Sequence, residues 1–589
     1  MKKTGAWLIR YALEQIGVKY TFGIPGVHNT ELYDELNNSD SIEPVLVTHE
    51  TGGSFIADAI SRTSATIGTM VIVPAAGAAY VSAGLGEAYL AGIPLLVICG
   101  GIRRDVDMSY QLHDVDQSEM LSGITKKFCR VESHQEIVAS IYAACQVAND
   151  GEPGPVFVEI PVDLQLFTGE TGPLESFAAY ASQHPGDSPK PDETSLEQAA
   201  QMLLAAKRPG LFLGWGAVDA AEYSSGIAEL LDAPVCTTLQ GLSAFPATHP
   251  LHTGMSFGRA AVPAAENAFK GCDCMLAVGT RFGEIATGSF GVRVPRKLIH
   301  SDINPDVFNK NYPAVCTIAG DASAVLEKLL GKLVEKREGT VSQTPDRSLL
   351  TAKIGRDKQR YLDEWYQHDS GKRVNPARFF TALRDQLDED SIIVADDGNH
   401  TFLVAELMPI IEPRSFISPT DFNCMGYCVP AVIGAKLVNP DKQVVGIVGD
   451  GAFAMTCMEI MTAARLKLGS VYFVFNDGEL SQISQAQEIP YNRKTCTVLG
   501  QIKVKGVAEA TGAEFIAMEN NSTIEQVIAE ALVLAAQGMP VIVDVNIDYS
   551  KRTRFTEGIV RTNLKRFPLG AKARFIGRAL GRKMEDRGQ

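Results

Sequence analysis

The 589-residue chain has 11 cysteines but no CxxC pair, the nearest approaches being Cys272-x-Cys274 and Cys424-x3-Cys428. That spacing excludes a zinc ribbon and a disulfide framework, and scattered thiols suit a reducing cytoplasm. Positive charge is also scarce: 54 Lys and Arg against 69 Asp and Glu leave a net charge of -15, which argues against general nucleic-acid binding. Phosphorylated ligands held by main-chain amides and a metal are not excluded. Long apolar runs are missing too. Ile67 to Gly86 has twenty residues and no charge, yet Pro74 and four glycines after Ile67 divide it into a strand (Thr69 to Val73) and a small-residue helix. The N-terminal stretch MKKTGAWLIRYALEQIG is broken by Arg10 and Glu14, so it reads as an amphipathic first helix and not as a signal peptide.

What is present is an ordinary globular composition, 45% hydrophobic and 21% charged, on a chain long enough for three or four domains. In residues 1–170 short apolar runs alternate with helical patterns; Tyr20 to Pro25, Pro44 to Thr48, Thr69 to Val73, Pro94 to Cys99 and Val156 to Ile160 are candidate strands. Strands alternating with helices predict a parallel sheet covered on both faces, with its sites beyond the carboxyl ends of the strands. Residues 171–194 are rich in Pro, Ser, Gly and Asp and read as a linker. A second α/β domain follows over 195–335, with strands at Gly210 to Gly216, Asp273 to Val278 and Lys297 to His300, then a charge-rich, partly helical linker over 336–372. Residues 373–550 repeat the layout of the first domain, and 551–589 form a basic tail with twelve Lys or Arg against three Glu or Asp. The fold class is therefore α/β, with three doubly wound parallel-sheet domains and a basic C-terminal tail.

The most informative stretch is Gln443 to Ile483. Val444 to Val448 is a β-branched run ending in Gly449-Asp450-Gly451; Ala452 to Leu468 lacks Gly and Pro and reads as a buried helix; Val471 to Phe475 is a second strand closed by Asn476-Asp477-Gly478. A right-handed crossover makes the strands parallel and, as neighbours, brings Asp450 and Asp477 together. Two oxygen ligands beside the N-H groups of a glycine turn at a helix N-terminus suit a hard divalent cation and a diphosphate. A common turn tripeptide is the plain alternative for GDG alone; the ordered spacing is the stronger signal.

With 24 residues between Gly451 and Asn476, this stretch resembles the signature of thiamine-diphosphate enzymes, and the chain is similar to their acetolactate synthase-like branch over residues 4 to about 550. The resemblance implies thiamine diphosphate with Mg²⁺ held by Asp450, Asp477 and the main-chain carbonyl of Glu479. Asp477 stands where the synthases usually have Asn, which adds a negative charge. It also implies contacts from Gly449, Gly451, Ala452 and Leu480, and from Gly398, Asn399 and His400 in DDGNH. DFNCMGYCVP is similar to the family segment in which main chain at the positions of Asn423 and Met425 meets the aminopyrimidine and the Met side chain wedges between the cofactor's rings. A core methionine is the plain alternative for Met425.

In the first domain FGIPG, including Pro25, and His49-Glu50 ahead of ADAISRTS match the family pattern. The resemblance makes Glu50 the carboxylate that bonds the aminopyrimidine and favours its imino form, so that the 4'-amino group acts as the base toward C2. On residue chemistry alone Glu50 equally suits a helix N-terminus. His28 resembles the histidine of benzaldehyde lyase-like carboligases, and His113 stands where the family has a glutamine; each is a proton relay or a polar residue lining the pocket.

The central domain resembles the flavin-binding domain of the synthases through Gln240, Gly241, Gly254, Arg281, Asp302 and Asp321, which implies an FAD site without a redox role. Gln482, Ala486 and Ile285 occupy positions where the synthases carry a substrate-facing Met, a Trp and a substrate-pairing Arg, so the second substrate departs from the pattern. The implied reaction is decarboxylation of a 2-oxo acid, pyruvate by default, and carboligation to a second carbonyl compound. A decarboxylase or 2-hydroxy ketone lyase and a flavin-dependent pyruvate oxidase are the alternatives. The implied partners are 2-oxo acids and aldehydes, in a homodimer or homotetramer whose sites are shared between subunits. The tail, with Leu569, Ala573, Ile576, Leu580 and Met584 on one helical face, suits a solvated or oligomer-docked helix or weak membrane-surface contact.

Overall fold

A computed structural model describes the chain except residues 339–347, 492 and 586–589; the side chains of 338, 489, 490, 576 and 579–585 also lie outside the described residues. Three six-stranded sheets, all parallel, form the centres of three α/β layers. In the first, the order from edge to edge is Glu43–Leu46, Tyr20–Gly23, Gly68–Ile72, Leu95–Gly101, Pro155–Pro161 and Lys127–Arg130. The predicted strands are present within a residue or two of their expected ends. Lys127–Arg130 has a charged side chain at each end and only two apolar residues between them, too short an apolar signal to read; it pairs with the buried Pro155–Pro161 at the sheet edge. Lys2–Thr4 pairs antiparallel with Thr168–Glu170 and joins the two ends of this region.

The second sheet has the order His252–Met255, Val235–Thr237, Pro209–Leu213, Cys274–Val278, Lys297–Asp302 and Cys316–Ala319. The third runs Phe416–Ile417, Ile392–Ala395, Val444–Gly449, Val471–Phe475, Val541–Val545 and Glu514–Met518. Continuous burial of strands such as Leu95–Gly101 and Val471–Phe475 follows from their cover of helices on both faces. Val444–Gly449 and Val471–Phe475 are parallel neighbours with Gly449 opposite Phe475, so Asp450 and Asp477 emerge side by side.

The expected helix Ala452 to Leu468 is interrupted. A helix over Asp450–Thr456 gives way to a 3-10 turn at Cys457–Glu459 and resumes at Ile460–Arg465. The break turns the Glu459 carboxylate onto the first domain, where it accepts from the Thr48 N-H, while the Thr462 hydroxyl of the helix that follows donates to it as well. The charge-rich stretch after the central domain holds a helix, Ser348–Gln367, whose Trp365 is fully buried in the core of the third domain. The tail forms helices Arg554–Arg566 and Leu569–Glu585, the second lying along Ser481–Tyr491. Of its expected apolar face, the side chains of Ile576, Leu580 and Met584 are outside the described residues. Among those described, no helix is long and apolar enough to cross a membrane.

Candidate active site

A cleft at the carboxyl ends of the third sheet gathers the predicted diphosphate-side residues. Gly398, Asn399, His400, Asn423, Met425, Gly449, Asp450, Gly451, Ala452, Asp477, Glu479, Leu480 and Gln482 all line it. Asp397, Phe475, Ser481 and Tyr549 line it as well and were not read from the sequence, because each lies in or beside an ordinary strand end or turn.

Its local geometry explains the residue types. One Asp450 oxygen accepts from the Gly451 N-H at 2.8 Å and the other from the Gly478 N-H at 2.8 Å, which ties the two turns together. Burial, with Asp477 as a second carboxylate nearby, pushes Asp450 up to about 6; burial also raises Asp477, which accepts from the Ser481 hydroxyl. Carboxylates whose ionisation is hindered by burial and by acids nearby form a site that a cation stabilises. The Glu479 side chain is bound to Lys494 at 2.7 Å. Among the described residues no three His, Cys, Asp or Glu side chains are arranged around a metal. Two carboxylates and a main-chain carbonyl thus leave further positions to ligand oxygens, which suits Mg²⁺.

His400 supplies the test for a phosphate. Its ring is fully buried and its pKa falls to about 3 through burial, yet its Nε2 has no partner among the described residues. Gly398 and Gly449 lie against the ring, and a Cβ on them would come within 2.7 and 3.1 Å of it. Gly398 has φ of +151°, a conformation that L side chains rarely adopt. An unpartnered ring nitrogen beside two glycine turns leaves room for a diphosphate.

Segment 420–428, which carries Asn423 and Met425, is held from three directions. Glu87, from the helix Ala76–Ala91 of the first domain, accepts from the N-H groups of Thr420 and Asn423 at 3.0 Å each. Asp396 accepts from Gly426 at 2.9 Å and Cys428 at 2.7 Å, and Asp58 accepts from the Tyr427 hydroxyl at 2.6 Å. Asn423 at φ +70° is thereby fixed in a left-handed turn. Burial pushes both Glu87 and Asp396 up to about 7. Sequence reasoning missed Glu87 and Asp396, whose role depends on contacts with a distant loop.

The first-domain residues lie apart from this cleft. Glu50 starts the helix Glu50–Thr63, is buried, and accepts no hydrogen bond among the described residues. His28 is buried with an unpartnered Nδ1, and its ring meets His113 edge-on at 5.0 Å between centroids. Burial, then the neighbouring His113, lowers the His28 pKa. Pro25 is exposed on the turn before His28. Within one chain none of the four lines the diphosphate cleft. Of the substrate-side positions, Ile285 packs on a core shared by the central and third domains, and Ala486 is exposed on Ser481–Tyr491; within one chain neither lines the cleft.

A second cleft in the central domain is lined by Gln240, Arg281, Asp302 and Asp321. Gly241 and Gly254 do not line it: Gly241 is packed on the main chain of Leu213 and Gly214, and Gly254 faces a different cavity. Asp302, raised to about 6 by burial, and Asp321 suit ribose hydroxyls. The diphosphate end of a dinucleotide fits less well. Arg281 is held by Asp421 at 2.6 Å and by the Leu90 carbonyl, and Arg414 pairs with Asp219 at 2.6 Å.

Comparison with known proteins agrees with this geometry. Residues 3–120, 196–329 and 396–545 match, respectively, the N-terminal TPP binding domain, central domain and C-terminal TPP binding domain of the thiamine pyrophosphate enzyme models. The chain is 31% identical to the probable acetolactate synthase large subunit of Methanocaldococcus jannaschii, over 92% of each chain. It is 30% identical to the acetolactate synthase large subunit of Haemophilus influenzae, over 94% of this chain and 96% of that one. It is also 30% identical to the isozyme 1 large subunit of Escherichia coli, over 93% and 95%. The chain belongs to the family of thiamine pyrophosphate enzymes, in the branch that contains the acetolactate synthase large subunits.

Proposed function

We propose that the protein decarboxylates a 2-oxo acid, with pyruvate as the default, and joins the remaining acyl unit to a second carbonyl compound. The observation that carries this reading is the cleft in which the unpaired His400 Nε2, two glycine turns and the Asp450–Asp477 pair converge. When bound there, thiamine diphosphate supplies a carbon nucleophile that adds to the 2-oxo acid and stabilises the charge left by loss of CO₂. The chain's own residues do the rest. Asp450, Asp477 and the Glu479 carbonyl would hold Mg²⁺, and Glu50, buried without a partner, would accept from the aminopyrimidine ring. Met425 and Asn423, fixed by Glu87 and Asp396, would set the angle between the cofactor's rings. Incubation with pyruvate and a panel of aldehydes and 2-oxo acids, with products identified by mass spectrometry, tests this: acetolactate is expected, and absence of any ligated product would sink it.

The His28–His113 contact favours a second reading, cleavage or formation of 2-hydroxy ketones by a decarboxylase or lyase of the same cofactor. A paired imidazole at a mostly buried site suits proton transfer at a carbinol. CO₂ with free aldehyde and no acetolactate would select that reading.

The separation of Glu50 from the diphosphate cleft supports a homodimer or homotetramer with sites shared between subunits. The loop bearing His113 exposes Met108, Tyr110 and Leu112 (Tyr110 at 98%), and the helix after Asp450 exposes Met455, which is the surface expected to meet a partner. For the central cleft the proposed occupant is FAD, bound at its ribose by Asp302 and Asp321, with Arg281 exchanging Asp421 for the pyrophosphate. Mass spectrometry of nucleotide released from purified protein decides this. A cytoplasmic location agrees with the unpaired cysteines; the basic tail is assigned to subunit docking, with weak membrane-surface contact as the alternative.

A further inference from the structure

A cavity of about 220 Å³ lies where the central domain, the helix Ser348–Gln367 and the third domain meet, and it shares no lining residue with the two clefts above. Its walls are largely apolar, with Val262, Leu362, Leu407 and Met408 among them. Lys358 is the cation in it. Its Nζ donates to the Ala247 carbonyl at 3.3 Å and stands 3.3 Å from His252 Nδ1. Among the described residues no carboxylate lies within ion-pair distance of that ammonium. The neighbouring acids are engaged elsewhere. Asp357 accepts from Asn267 and Arg360, and Glu406 accepts from the Tyr361 hydroxyl and from the N-H groups of Arg554 and Phe555.

His252 does not supply the missing charge. It is fully shielded, and burial and the adjacent Lys358 hold its pKa well below the usual range, so it is neutral and its Nδ1 accepts from the lysine. Burial lowers Lys358 to about 8, which leaves it an ammonium at pH 7. Lys358 is half-buried, and an ammonium partly withdrawn from water with no carboxylate beside it is stabilised by a countercharge. Here the countercharge is missing and there is room for one. The space equals roughly seven times the share of a water molecule in the liquid, enough for an acid of a few carbons. Polyanions are disfavoured, since Glu406 lies on the same wall and Lys358 is a single cation.

We propose that this cavity binds a small aliphatic monocarboxylate, its carboxylate paired with Lys358 beside His252 and its hydrocarbon body against Leu362, Leu407, Met408 and Val262. The site stands apart from the catalytic clefts and does not depend on the reaction assigned to them.

Calorimetric titration of the full-length protein, saturated with thiamine diphosphate and Mg²⁺, tests this with isobutyrate, its neutral isostere isobutyramide, and inorganic phosphate. Isobutyrate is expected to bind once per chain, at least tenfold more tightly than either of the others, and Lys358→Met is expected to weaken it at least tenfold. In the wild-type protein, isobutyrate is expected to slow acylation of Lys358 by an amine-reactive anhydride, read by peptide mass spectrometry, while leaving exposed lysines unchanged. If Lys358→Met does not fold, the protection measurement decides alone. Absence of isobutyrate binding, equal binding of the amide, or binding that leaves Lys358 unprotected would overturn the proposal.

Discussion

At the scale of single residues, the site divides into groups whose chemistry is local and groups whose chemistry is borrowed from far along the chain. Asp450 and Asp477 were legible because strand, turn and helix signals around them are continuous in sequence, and parallel pairing of neighbouring strands places their ends together. The role proposed for Glu50 rests on family resemblance; its residue chemistry alone allows a helix-terminal acid as well, and it does begin the helix Glu50–Thr63. Replacing it with Gln keeps the shape and removes the charge. Turnover of pyruvate is expected to fall by about 10²- to 10⁴-fold, with cofactor binding measured by calorimetry little changed. The His28–His113 pair makes a different prediction. His28 is held neutral at pH 7, and it serves as relay only if its unpartnered Nδ1 faces the reacting carbonyl. His28→Phe is expected to lower ligation by about 10²-fold or more while CO₂ release falls less; equal loss of both would assign His28 to binding instead. Gly254 and Gly241 do not line the central cleft, since a glycine after a strand signals a close approach without saying to what.

At the scale of elements, segment 420–428 and the turn before Glu50 are each held by an acid from the other domain. Glu87 reaches Thr420 and Asn423 from the first domain, and Glu459 reaches Thr48 from the third. Neither clamp was readable, since its partners are more than 300 residues away and a lone Glu on a helix most often marks a solvated face. The interrupted helix at Cys457–Glu459 has the same origin: local propensity favoured one continuous helix, and the contact with Thr48 requires Glu459 to turn. Removing the Glu87 carboxylate leaves buried N-H groups unpaired, at about 1–3 kcal/mol. Glu87→Ala is therefore expected to raise the thiamine diphosphate dissociation constant at least about tenfold, with Glu87→Asp intermediate. An unchanged constant would show that segment 420–428 is held well enough by Asp396 and Asp58. The helix Ser348–Gln367 was expected only as part of a linker, because its charge masks one apolar stripe. Trp365→Ala is expected to cost about 3–5 kcal/mol of stability, seen as a lower denaturant midpoint.

At the scale of the whole molecule, three parallel sheets followed from the alternation of apolar runs and helical patterns, while the way the domains engage one another did not. The buried acids at those contacts set a pH dependence. Glu87, Asp396 and Glu406 are each pushed up to about 7 by burial, so the folded state holds protons that the unfolded chain releases. Their contribution is full below the ordinary carboxylate pKa and is lost as pH rises through about 7. His400 acts in the opposite sense, its folded pKa of about 3 adding stability as pH rises toward 6.5. The melting temperature is therefore expected to fall between pH 6 and 8, and a rise over that interval would show that these acids are ionised in the fold. The largest consequence concerns assembly. Within one chain Glu50 does not line the Asp450–Asp477 cleft, and in the proposed assembly Glu50 of one subunit meets the cleft of another. Glu50→Gln and Asp450→Asn are each expected to be inactive alone. In a homodimer with two shared sites, random reassociation makes half the molecules mixed, and in each of these one site combines an intact Glu50 with an intact Asp450 while the other carries both lesions. Co-refolded or co-expressed variants are then expected to recover about a quarter of wild-type turnover. No recovery, with mixed dimers verified by mass spectrometry, would place both groups of each site on one chain and require the first and third domains to move together on binding the cofactor.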